Sequence, residues 1–140
     1  MALFPKVPAI RMTAHAARLC EPYRAVIIIH GRRELLTVDE GFSTDGASIP
    51  RLLWRALGHP YQMPLLPCAL AHDALYAVRL NSRSDCDAVF LDLMRRARMG
   101  LFKRLAVWLA VRAFGGWAWR HRTAQSIATA KTLCRLTPLG

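Results

Sequence analysis

The chain reads as a mainly α domain with a small N-terminal β-hairpin, followed by an antiparallel helical hairpin and C-terminal helices. Three observations predict this. A β-branched run begins at Ala25, a helix–cap–helix pattern spans residues 68–99, and an apolar, basic stretch fills residues 101–134. Hydrophobic residues make up 54% of the 140, and no repeat or low-complexity tract interrupts them. One core, and so a single domain over residues 1–140, is expected.

The first element is AVIIIH, Ala25 to His30, joined by Gly31-Arg32 to RELLTV, Arg33 to Val38. Two β-branched or apolar runs across so short a connection predict a β-hairpin over residues 25–40. GFSTDGASIP, residues 41–50, is rich in turn formers and predicts a polar loop, with Gly46 free to take a positive φ and Pro50 opening a helical turn. Arg51 to Gly58, carrying Trp54, predicts that short helical piece. Gly58, Pro60, Pro64 and Pro67 then keep the chain irregular.

From Cys68 to Val78 the apolar period is helical, and Asn81-Ser82 marks its turn. Ser82 with Asp85 three residues later has the form of a capping box, which opens a second helix through Val89, Phe90, Leu93 and Met94 toward Met99. The two helices make a helical hairpin over 68–99. Two basic amphipathic helices follow over 101–134, about Leu101 to Phe114 and Trp117 to Cys134, separated by Gly115-Gly116.

Charge is unevenly placed. The formal total is +11, yet Met1 to Met94 holds ten Lys/Arg against nine Asp/Glu, while Arg95 to Gly140 holds ten Lys/Arg and no acid. Such a segment is drawn to anionic surfaces. Within it, MGLFKRLAVWLAVRAFGGWAWRHR combines five cations with three tryptophans and two phenylalanines. It fits a core helix with a basic outer face, or an interfacial helix lying on an anionic membrane. No recognised nucleic-acid reader motif accompanies it, so phospholipid is placed ahead of nucleic acid as partner. Its apolar runs, broken by Arg112, are too short to span a bilayer. Neither a secretory signal nor a C-x-x-C pair is visible, and Cys20, Cys68, Cys86 and Cys134 are expected to be free thiols.

The polar chemistry gathers in GFSTDGASIP and AHDALY. His72 and Tyr76, four residues apart, share one helix face, and Asp73 points about 100° away. Asp87 mirrors His72 across the turn of the helical hairpin, so it can hold one imidazole nitrogen while the other serves as a base. Asp45, Asp73 and backbone carbonyls of the glycine-containing loop offer an oxygen-only site suited to calcium. A structural reading stands beside each of these: the histidine and carboxylates as a buried polar network, Asp45 as a turn brace, Tyr76 as core. A Ser48-His72-Asp87 triad lacks the G-x-S-x-G around its serine.

GF-x-TDGAS-x-P, HD-x-x-Y and SR-x-x-C-D-x-x-F-x-x-x-M together resemble the domain-of-unknown-function family 1353 of tailed phages and prophages, over roughly Ala25 to Gly116. That resemblance implies a phage setting: other phage proteins as partners, and the host cytoplasm, the phage particle or the periphery of a membrane as location. AHDALY followed by DAVFLDLM is also similar to the helical hairpin of bacterial and fungal phospholipases A2. This second resemblance implies a lipid ester hydrolase with His72 as general base, Asp87 holding His72, Tyr76 supporting Asp87, and Asp73 with Asp45 and Gly46 at a calcium ion. The rival expectation is a non-enzymatic virion or lysis-associated protein in which the same residues form a structural network.

Overall fold

The computed structural model describes residues 8–13, 16–44, 51–57 and 62–140. The predicted hairpin is present as β3 (Tyr23–Ile29) and β4 (Arg32–Val38), preceded by β1 (Ile10–Met12) and β2 (Ala17–Leu19). His30 and Gly31 form its two-residue turn with φ of 51° and 73°. Positive φ at both central positions matches the right-handed twist of the flanking strands. The register pairs Ile29 with Arg32 and Tyr23 with Val38, so the connection sits one residue earlier than the sequence predicts.

β5 (Ser43–Thr44) and β6 (Cys134–Pro138) complete two antiparallel sheets of three strands, ordered β1-β2-β5 and β3-β4-β6. The mainly α class with a single small β-hairpin is therefore corrected to a mixed architecture, in which five α-helices pack with two sheets among the described residues. The missed strands are two to five residues long, too short for alternation to show.

A 3₁₀ turn (Arg51–Leu53) leads into α1 (Trp54–Leu57), and the helical hairpin follows as α2 (Leu65–Val78) and α3 (Arg83–Arg96). All fourteen residues of α2 are buried, which explains why its sequence is apolar almost all round. Ser82 caps α3 by accepting a hydrogen bond from the Asp85 amide at 3.1 Å, as the capping pattern predicts. The core joins Ile27, Leu36 and Val38 of the sheet to Leu70, Leu75, Phe90, Leu93 and Met94 of these two helices. Arg96 extends from α3 to the Val26 carbonyl at 2.6 Å, tying helix to sheet.

The C-terminal helices also differ from expectation. α4 runs unbroken from Leu101 to Arg120, through both glycines, and α5 (Ala124–Leu133) ends where Cys134 enters β6. Gly115 is a point of close approach and not a breaker. A β-carbon there would lie 3.1 Å from Tyr76 Oη. No described helix is long and apolar enough to cross a membrane. Cys68, Cys86 and Cys134 are buried free thiols, each pushed up to about 12 by burial, while Cys20 is exposed.

Candidate functional site

The centre of the site is Asp87, on α3 and fully buried. An isolated carboxylate in such a place would be strongly disfavoured, so it must be surrounded by donors. His72 Nε2 and Tyr76 Oη, one turn apart on α2, donate to its Oδ1 at 2.7 and 2.6 Å. Arg112 Nη1, from the middle of α4, donates to Oδ2 at 2.7 Å. Burial is the largest influence on the Asp87 carboxyl and pushes its pKa up. The His72, Tyr76 and Arg112 contacts together outweigh it, and the group is held below the usual carboxylate range.

Because Asp87 is ionised and can only accept, the proton lies on His72 Nε2. The other nitrogen, Nδ1, is 3.9 Å from Asp73 Oδ1. The imidazole thus sits between two carboxylates and is stacked on Phe90, ring centres 4.5 Å apart. Burial, again the largest influence, favours neutral His72. Asp73 and Asp87 together override it and raise the pKa above 6.5. The two carboxylates thus make this imidazole a stronger base than a solvated one.

Around this core stands a second layer that the sequence did not reveal. Arg83 donates through Nε to Tyr76 Oη at 3.2 Å and through Nη2 to the carbonyls of Val111 and Arg112 at 2.9 and 2.6 Å. It donates to the hydroxyl that donates to Asp87, and it pins the start of α3 to α4. Trp119 meets the Tyr76 ring edge-on at 5.1 Å, and the Arg79 guanidinium lies 4.6 Å above Trp119. Thr44 Oγ1 donates to Asp73 Oδ2, joining β5 to α2. Arg112 did leave one trace in the sequence: it is the cation that breaks an otherwise apolar run.

The structure thus brings His72, Asp87 and Tyr76 into one hydrogen-bonded group and sets Asp73 beside it. Asp45 and Gly46, and Ser48 of the rejected triad, lie outside the described residues. Among the described residues no three His, Cys, Asp or Glu side chains converge as metal ligands. Of the expected calcium ligands only Asp73 is among the described residues, and it is already bonded to Thr44, where calcium takes six to eight oxygens. The described residues do not by themselves fit a calcium ion. His72 is 1% exposed. A cleft of about 490 Å³ opens nearby, lined by Ser43, Thr44, Trp117, Ala118, His121 and Arg122 among others, and reaches the site at Thr44.

Comparison with known proteins agrees with the motif resemblance at one level. No solved structure matches the chain. The uncharacterized protein y4jT of Sinorhizobium fredii (strain NBRC 101917 / NGR234) is 28% identical over 104 residues, which is 74% of this chain and 30% of that protein. This chain therefore spans about a third of the length of the curated relative it matches. The family described as "Protein of unknown function (DUF1353)" matches residues 18–111, a span from β2 into α4 that holds His72, Asp73, Tyr76, Arg83 and Asp87. With more than half of its length matched, the chain belongs to that family.

Proposed function

We propose that this chain is a hydrolase of lipid esters in which His72, oriented by Asp87, removes a proton from the attacking water. The observation that carries the reading is the 2.7 Å contact from His72 Nε2 to Asp87, which leaves Nδ1 on the opposite side of the ring, next to Asp73. A general base needs that division: one nitrogen anchored, the other aimed. Arg112 and Tyr76 keep Asp87 ionised and fixed, so it holds the ring in one tautomer and offsets the imidazolium that forms. The lipid class rests on the likeness of HD-x-x-Y and its downstream aspartate to the phospholipase A2 hairpin. Proton transfer as described uses His72 and Asp87 alone.

Release of fatty acid from mixed phospholipid vesicles, with and without added calcium, tests this. His72→Ala should lower the rate by roughly 10²- to 10⁴-fold, the usual contribution of a positioned base. A folded His72→Ala protein cleaving at the parental rate removes His72 from the role.

A second reading is favoured by the 1% exposure of His72. Here His72, Asp73, Tyr76, Arg83, Asp87 and Arg112 form a structural network joining α2, α3 and α4 in a non-enzymatic protein, in the phage setting that the motif resemblance implies. Its signature is a His72→Ala variant with a lowered melting temperature, in a parent that cleaves no ester at any calcium concentration.

A further inference from the structure

The outward face of α4 is a strip of large apolar side chains. Val107, Ala110, Val111, Gly115 and Ala118 turn inward and are buried. On the opposite face lie Phe102, 88% exposed, Leu109 and Trp117, each 59% exposed, with Leu101 and Leu105 between and beside them. At 100° per residue, Leu105, Leu109 and Phe102 fall within one narrow sector pointing away from the core. At about 1.5 Å per residue, Phe102 to Leu109 spans about 10 Å and Trp117 lies about 12 Å further on, so the exposed apolar side chains are grouped and not scattered singly.

The charge around it selects the occupant. Lys103 lies about 100° round the helix from Phe102, Arg120 continues the line of the strip at its C-terminal end with Arg122 just beyond, and no acidic residue occurs after Asp92. Two copies of this chain meeting strip to strip would bring like-charged ends together. The leucines give bases nothing to pair with, which disfavours nucleic acid at the centre of the strip. An apolar stripe with cations beside it and at its end, in a segment without acids, matches the boundary of an anionic bilayer: acyl chains at the middle, phosphate at the edges.

We propose that α4 docks this protein on the surface of anionic phospholipid membranes, Phe102, Leu105 and Leu109 entering the headgroup boundary and the flanking cations meeting phosphate. This reading stands apart from the proton chemistry of His72. It has one geometric consequence for that chemistry: Trp117, at the far end of the strip, also lines the cleft that reaches Thr44, so docking sets the cleft mouth at the lipid surface.

The test is co-sedimentation of the full chain with vesicles of phosphatidylcholine alone or mixed with phosphatidylglycerol. Binding is expected to the mixed vesicles and to weaken with salt. A Phe102→Gln/Leu109→Gln double variant should keep the parental melting temperature and lose roughly tenfold or more in partitioning. His72→Ala should bind as the parent does. Failure of the parent to bind mixed vesicles overturns the proposal, as does a double variant that binds undiminished. A parental dimer that the double variant converts to monomer, with no change in vesicle binding, would assign the strip to self-association instead. Intact cleavage of a soluble short-chain ester in a protein that ignores vesicles would separate failure of docking from failure of the catalytic reading.

Discussion

Arg112 Nη1 donates to Asp87 Oδ2 at 2.7 Å across a sequence separation of 25, so the charge of the central carboxylate is balanced by a side chain from a different helix. Removing that donor leaves a buried carboxylate short of a partner. We expect Arg112→Leu to destabilise the protein by about 2–3 kcal/mol. That is below the full range for a buried pair, because the Arg112 side chain is 33% exposed. Urea unfolding measures it. Asp87→Asn in the same background should recover part of the loss, and purely additive losses would show that the two residues are not coupled.

The same carboxylate holds up the pKa of His72. Asp87→Asn keeps the shape of the side chain but removes its charge, so the imidazole should titrate lower than in the parent. NMR titration of the ring protons reads this directly. An unchanged value would mean that Asp73 alone sustains the shift.

Stability should depend on pH in a way set by this pair. The folded pKa of His72 is raised above 6.5, so its contribution is complete below 6.5 and is lost as pH rises through the folded value. The folded pKa of Asp87 is lowered below 3.8, so its contribution is complete above 3.8 and is lost as pH falls through the folded value. Both contributions are therefore complete together only between 3.8 and 6.5. Melting temperatures across pH, parent against His72→Gln, should show the alkaline decline flattened in the variant. Parallel curves would contradict the assignment.

At Gly115 two effects oppose each other. Alanine gains about 1 kcal/mol of helix propensity, but its β-carbon would come 3.1 Å from Tyr76 Oη, which is held between Asp87 and Arg83. We expect Gly115→Ala to be net destabilising by roughly 1 kcal/mol. In a Tyr76→Phe background, where the hydroxyl is gone, the same substitution should become neutral or stabilising. Thermal unfolding of the four proteins decides it.

How much of this was legible in the sequence depends on the reach of each signal. The Ser82–Asp85 cap is a contact between near neighbours, three residues apart, and the local sequence encodes it. The meeting of His72 with Asp87 followed from symmetry about a short turn, which needs only two helices and their spacing. Arg83 and Arg112 act at separations of 7 to 29 residues across three helices, and no local pattern encodes such contacts. Gly115-Gly116 misled because glycine serves both as a helix end and as a place for close packing. Cys134 was read into the last helix because CRLTP, five residues with one proline, carries too little alternation to declare a strand. Arg112 and the arginine after Ser82 were visible throughout, but the Asp87–Tyr76 pair that they meet was not.

The position of β6 has a kinetic corollary. β4 is the middle strand of its sheet, yet its second neighbour arrives only with residues 134–138, and Arg135 meets Asp39 across a separation of 96. During synthesis the β3–β4 hairpin must wait, one margin bare, until nearly all the helices have been made. Closing so large a loop is entropically slow, which makes that bare margin the place where nascent chains would stick to one another.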